Sequence, residues 1–208
     1  MSEQQSSKLV SSLVEHQRYF SEMSTEDRQW AIQNTKDAIV LFVEAVKNRK
    51  TESAIASLVA GIFRLTVDYS QSLEQMTAAG RYDWKNDEIT SKRFPITGKG
   101  VVEFEGRYFH FDRNISSENA IKEIEAEDTA NPWSPAKIEH VLSHGKTFPE
   151  EQRKFPIVGL GSVALVYGRR CVPVLHEGGS GRYLYLNWFD DDWDPVCRFR
   201  AVRKVSAS

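Results

Sequence analysis

Apolar positions near the start of the chain recur with a helical period: Leu9, Leu13 and Phe20, then Trp30 and Ile32 behind an S-x-x-D capping box at Ser24 and Asp27, then Ile39, Phe42, Val43 and Val46 from Thr35. Residues 7–50 therefore read as successive helices, the last ending in Lys47, Arg49 and Lys50, where cations suit the helix dipole. From Ile62 the period changes. Ile62 to Tyr69 is rich in β-branched and aromatic residues and reads as a strand, and Ser72 to Ala79 predicts a short helix stopped by a left-handed Gly80. Val101 to Phe104 and Arg107 to Phe111 alternate on either side of Glu105-Gly106, predicting a hairpin with a two-residue loop and Val102 opposite Phe109. Ser116 or Ser117 caps a further helix through Glu127, and Ser134 with Pro135 at the first helical position starts another that ends at Gly145.

Beyond Pro156 the pattern is one of strands, at Ile157 to Val166, Val172 to His176, Tyr183 to Phe189 and Cys197 to Val202. Gly168, Gly178-Gly179-Ser180-Gly181 and Asp190-Asp191-Asp192 separate them as turns. The expected fold class is α+β, with helices early and a β-rich C-terminal half, and a soft boundary near residue 60 divides a helical region, 1–60, from a second region, 61–208.

Charge narrows the partners. The 208 residues hold 27 Lys and Arg against 29 Asp and Glu, a net charge of −2, and no stretch is basic enough to bind nucleic acid by neutralising phosphates. The longest mainly apolar stretches, such as Ala54 to Leu65, contain Ser or Arg and fall short of the roughly 18–20 residues that cross a bilayer, so no membrane span is expected. Met1 to Lys8 has no apolar signal core, so export by a standard signal peptide is not expected; cytoplasmic, virion-associated and surface-displayed locations stay open, as does the oligomeric state. Cys171 and Cys197 read as separate thiols, since a scaffold of this size does not need a bridge.

Candidate chemistry is thin. His140 and His144 have the i, i+4 spacing that can place two imidazoles on one metal, but the order His-Val-Leu-Ser-His lacks the glutamate of H-E-x-x-H, and a solvated helix face is the plainer reading. Trp188 to Asp194 could offer oxygens to a hard cation, yet it lacks the spacing of a calcium loop and reads first as a turn between strands. Gly159-Leu160-Gly161-Ser162 and Gly178-Gly179-Ser180-Gly181 are not followed by Lys-Ser/Thr and open no helix, and neither Ser162 nor Ser180 has a nucleophile-elbow context. His110 and Asp112 share a strand face and read as a polar edge. No catalytic set, metal or other cofactor is expected.

The last fifty residues stand apart in composition. Tyr167, Tyr183, Tyr185, Asn187, Trp188, Trp193 and four aspartates, among many Gly and Ser, are the amphipathic aromatics and adaptable polar groups of protein-binding surfaces. Alternation puts Tyr183, Tyr185 and Asn187 on one face of a strand while Leu184, Leu186 and Trp188 anchor the other.

The run Phe155-Pro156-Ile157-Val158-Gly159-Leu160-Gly161-Ser162-Val163, then Leu184-Tyr185-Leu186-Asn187-Trp188-Phe189, then Cys197-Arg198-Phe199-Arg200-Ala201-Val202-Arg203-Lys204, resembles the variable proteins of diversity-generating retroelements. Pro135 to Leu142 is similar to the segment ahead of that family's variable region, and the resemblance spans roughly 62–208. It implies a C-type lectin fold of the formylglycine-generating-enzyme type, used as a ligand-binding scaffold, with a variable region at about 160–200 displaying a surface for a protein ligand. In that family errors at template adenines diversify AAC-type codons, which yield residues such as Asn, Tyr, Asp, Ser or His but not Trp. The resemblance therefore implies variable positions at Tyr183, Tyr185, Asn187, Asp191, Asp192, Asp194 and Val196, further ones at Arg170, Cys171, Val174 and His176, and scaffold roles for Trp188 and Trp193. The Glu-Pro-Asn or Gln-Pro-Asp calcium motif of sugar-binding lectins is absent, so calcium-dependent carbohydrate binding is not expected. Two other classes stay open: a metal-dependent enzyme of the formylglycine-generating or hydrolase kind, and an intracellular adaptor with an invariant surface.

Overall fold

The computed structural model describes residues 24–37, 39–40, 61–179 and 181–205. The chain divides into two compact units, residues 1–62 and 63–208. In the first, α1 (Thr25–Gln33) begins directly after Ser24, and Thr35 Oγ1 donates to the carbonyls of Ala31 and Ile32 at 3.2 and 2.8 Å. The helical expectations over 7–23 and 41–50 lie outside the described residues. Among the described residues no helix is long and apolar enough to cross a membrane.

The second unit is α+β. Its strands are β1 (Phe63–Asp68), β2 (Trp84–Lys85), β3 (Val101–Phe109), β4 (Ile115–Ser116), β5 (Ser134–Pro135), β6 (Ile157–Val158), β7 (Ala164–Val166), β8 (Arg169–Gly178), β9 (Gly181–Trp188), β10 (Asp192–Trp193) and β11 (Arg198–Lys204). The main sheet runs β1-β3-β11-β6-β8-β9-β2, with β5 added on β11 and β7 on β8, and β10 pairs separately with β4. It is mixed: β11 with β6 and β2 with β9 are parallel, the other pairs antiparallel.

Among its described residues the α-helices are α2 (Leu73–Ala79), α3 (Ser117–Ala126) and α4 (Ile138–Thr147), with a single 3-10 turn at Glu151–Arg153. Ser72 and Gln75 form a reciprocal capping box on α2, and of the two serines the sequence offers as a cap for α3 it is Ser116 whose Oγ accepts the Asn119 N–H. Leu142 and Val141 of α4 are buried with Leu65, Val67, Ile157, Leu175 and Leu184 in one apolar cluster, and each such fully buried side chain is worth about 1.5–3 kcal/mol.

Four sequence expectations are corrected, each for a physical reason. Residues 101–109 form one continuous strand, not a hairpin, flanked by β1 and β11; Gly106 stands opposite Phe63 and Val202 in mid-strand. Its missing side chain serves packing, since a Cβ there would overlap the Arg200 guanidinium. Gly80 is right-handed at φ −71 and the positive φ falls on Arg81, at 50°; here too glycine makes room, in this case for the Tyr82 ring. Ser134-Pro135 is a short strand against Ala201 and Val202, and the helix starts only at Ile138 and runs past Gly145 to Thr147. Its N-terminus is satisfied from elsewhere: His140 Nδ1 accepts the Lys137 N–H at 3.0 Å and Ser162 Oγ accepts the Ile138 N–H at 2.9 Å. The expected strand 157–166 is broken into β6 and β7 by Gly159-Leu160-Gly161, where the Gly161 N–H donates to the Ala136 carbonyl at 2.9 Å. A Cβ on Gly161 would overlap the Pro135 carbonyl, so this loop can lie on the start of α4 only as glycine.

Candidate recognition face

Directly opposite residues of paired strands share a face. Tyr183 is opposite His176, Tyr185 opposite Val174, Asn187 opposite Val172, Leu165 opposite Arg170, and Trp84 beside Tyr183. One face of β7-β8-β9-β2 therefore carries Leu165, Arg170, His176, Asn187, Tyr185, Tyr183 and Trp84. Leu184 and Leu186, pointing the other way, are buried and hold β9 down.

Within this row three aromatic rings meet. The Trp84 ring centroid lies 5.7 Å from that of Tyr183 and 5.7 Å from that of Tyr185, tilted by 50° and 37°. Trp84 and Tyr185 are 42% and 45% exposed, which for large aromatics is a displayed surface. Tyr183 is half-buried, and a Cβ at Gly178 would overlap its ring, so the hairpin glycine makes the space in which that tyrosine lies.

The expected variable positions divide by burial. Arg170, His176, Tyr185, Asn187, Asp191, Asp192, Asp194 and Val196 are exposed and Tyr183 half-buried. Cys171 and Val174 are not surface residues: both are 4% exposed, and Cys171 faces the opposite side of the sheet, level with Trp188. Burial also pushes the Cys171 thiol pKa up and that of Cys197 up to about 11; both are free, buried thiols. Trp188 is corrected in the other sense. It lies on the leucine side, but at the strand end it is 45% exposed, with the Arg169 guanidinium 3.8 Å from its ring centroid.

The acidic segment is built more firmly than a turn between strands. Trp193 is buried and its Nε1–H donates to Ser117 Oγ at 2.8 Å, while the Ser117 hydroxyl donates to the Phe189 carbonyl at 2.6 Å. Asp190 pairs with Arg170, which also reaches Glu118 at 3.1 Å. Asp191, Asp192 and Asp194 are exposed and enter no ion pair among the described residues. Tyr185, Val174, Val158 and Phe199 share a side of the sheet through successive register pairs, and the Trp193 ring packs 6.0 Å from Phe199. The Trp193 ring thus packs on the same side as the aromatic row, against a strand three spacings, roughly 14 Å, from β9.

The histidine pair is buried, contrary to the solvated reading. His140 Nδ1 is used by the Lys137 N–H, leaving the proton on Nε2, 3.5 Å from Tyr69 Oη; His144 Nε2 is hydrogen-bonded to Tyr108 Oη at 2.6 Å. Burial first, then the positive charges of Lys137 and Arg200, holds the His140 pKa down to about 3. Each ring is engaged separately, and among the described residues no three His, Cys, Asp or Glu side chains gather to hold a metal. The His110 Nε2–H donates to the Pro195 carbonyl at 2.8 Å with Asp112 at 3.4 Å, a surface contact.

Trp84 and Leu165 escaped the sequence reading. Trp84 carried a signal, an indole inside the polar run Arg81 to Glu88, whereas Leu165 becomes part of the face only through its pairing with Arg170. Comparison with protein-family models, with curated proteins and with solved structures finds no match.

Proposed function

We propose that this chain is a non-enzymatic ligand-binding protein that recognises a protein partner through the face of β7, β8, β9 and β2 and the adjoining acidic segment. The observation that carries the reading is the row Trp84, Tyr185 and Asn187, exposed over buried leucines with the half-buried Tyr183 among them, because exposed tryptophan and tyrosine side chains are what binding hot spots are made of. With it we propose a variable protein of the retroelement type with a C-type lectin-like domain over 61–208, supported by the motif run at 155–163, 184–189 and 197–204 and by the exposure of most of the adenine-accessible positions.

Sequencing codons 157–204 across the natural population tests the second part. Substitutions confined to adenine positions at Tyr183, Tyr185, Asn187, Asp191, Asp192 and Asp194, with Trp188 and Trp193 constant, are expected; a uniform sequence would leave a fixed binding surface. The first part predicts that Tyr185→Ala weakens partner binding by about 2 kcal/mol while the thermal midpoint stays nearly constant. A midpoint loss of several degrees would make Tyr185 a core residue and remove the argument.

A further inference from the structure

We propose that the Trp84–Tyr183–Tyr185 cluster is a seat for a cationic side chain, arginine or lysine, of the partner; this rests on the reading that the face binds a protein. The chain's own chemistry points there. Its arginines lie over aromatic rings throughout the described residues: Arg107 and Arg203 over Trp133, Arg169 over Trp188, Arg170 over Phe189 and Arg200 over Phe63 and Tyr108. Among the described residues two indoles are half-exposed: Trp188 carries Arg169 at 3.8 Å, whereas no cation lies over Trp84, Tyr183 or Tyr185. The neighbouring Lys85 reaches Asp87, at 3.5 Å. An indole is the strongest of the aromatic cation acceptors, and here it has two phenol rings beside it and is 42% exposed.

Charge complementarity selects the same occupant. Asp191, Asp192 and Asp194, in the segment whose Asp190 pairs with Arg170 of the same face, are exposed and enter no ion pair among the described residues, while the charge of Asp87 is taken up by Lys85. Carboxylates of a segment about three to four strand spacings, roughly 14–19 Å, along the sheet make a small contribution to a bound complex but steer a cation toward the face, and that contribution fades as salt shortens the screening length to about 8 Å. The rings would then bind the delivered side chain by short-range attraction.

The test uses the full chain labelled with 5-fluorotryptophan, the Trp84 resonance being assigned by Trp84→Phe. The probes are a capped Arg-Gly-Arg-Gly-Arg peptide, its neutral citrulline counterpart and a neutral Phe-containing peptide. The arginine peptide is expected to shift the Trp84 resonance saturably and the citrulline peptide not; Tyr185→Ala should weaken binding roughly two- to fivefold. Asp191→Asn/Asp192→Asn/Asp194→Asn should weaken it further at low salt and flatten the salt dependence. Equal shifts from arginine and citrulline peptides, or a shift from the Phe peptide alone, would overturn the cation seat and leave the protein-binding face standing. No Trp84 shift with any peptide at millimolar concentration would count against both. A shift at Trp188 or Trp193 without one at Trp84 would put the cation on the acidic segment and overturn the assignment.

Discussion

Replacing Arg200 by methionine should leave this protein as stable as before or more so. Arg200 is fully buried, and its Nε, Nη1 and Nη2 have no hydrogen-bond partner among the described residues. Burial pushes its pKa down from 12.5 to about 10, which corresponds to roughly 3 kcal/mol disfavouring the charged form. Against that stand the buried Glu151 carboxylate, whose charge is already counted in that pKa, and the Phe63 and Tyr108 rings, 5.4 and 5.3 Å from the guanidinium carbon, worth up to about 2 kcal/mol together in a desolvated site. Methionine keeps most of the volume and removes the charge, so urea unfolding at pH 7 should show a change between zero and about 2 kcal/mol in the stabilising direction. Arg200→Ala instead leaves a cavity and should cost about 2–5 kcal/mol. Gly106 completes the argument, because its Cβ would overlap the guanidinium. Gly106→Ala should cost about 1–3 kcal/mol with Arg200 present and less with Arg200→Ala, a coupling of at least about 1 kcal/mol. A loss of 3 kcal/mol or more for Arg200→Met would show that the charge is compensated by a partner, and the reasoning would fail.

Three further outcomes follow from the geometry. His140 and His144 are held neutral when folded, both with pKa values lowered mainly by burial, so below pH 6.5 the unfolded chain takes up protons that the folded one refuses. Stability should therefore fall as pH drops from 7 toward 3, by up to about 1.4 kcal/mol per pH unit for each ring; the raised Glu139 carboxyl opposes this, and His140→Gln/His144→Gln should flatten the slope in thermal melts. Ser117→Ala removes the acceptor of the Trp193 Nε1–H and the donor to the Phe189 carbonyl, both buried, and should cost about 2–3 kcal/mol in urea, with Ser117→Cys no rescue for want of a strong hydroxyl. Saturation mutagenesis scored by soluble yield should find Asn187, Asp191, Asp192, Asp194 and Val196 permissive and Val174 and Cys171 restricted to small apolar residues; broad tolerance at Val174 would contradict its burial.

Local chemistry was readable where one segment decides its own structure. Ser72 and Ser116 cap helices because their hydroxyls reach backbone N–H groups three residues on, and the alternation at 183–187 sets a face whatever strand lies alongside. The failures share a cause. Gly80, Gly106 and Gly161 were open to a reading as turn or stop residues, yet each is glycine because a distant group, the Tyr82 ring, the Arg200 guanidinium or the Pro135 carbonyl, fills the space of a Cβ. Nothing within a few residues of Gly106 announces Arg200. Likewise α4 gains its N-terminal partner from Ser162, twenty-four residues away, so the local serine at 134 was free to join a strand.

The candidate recognition face shows how far alternation alone can go. Along β9 it separates leucines from tyrosines correctly, since β9 has the apolar cluster on one side and solvent on the other. Along β8 it fails, because residues 171–175 are buried on both sides: Cys171 and Leu175 belong to the cluster with Leu184, while Val172 and Val174 are closed over on the tyrosine side. A position on the displayed side of a sheet is free to vary only if nothing covers it, and cover is a property of neighbouring strands. That criterion keeps Tyr185 and Asn187 and removes Val174, although Val174 is directly opposite Tyr185. It also adds Trp84, which arrives from a two-residue edge strand outside the C-terminal segment. If the C-terminal side chains vary while Trp84 does not, the face has one fixed aromatic shared by every variant, and specificity would be written around it.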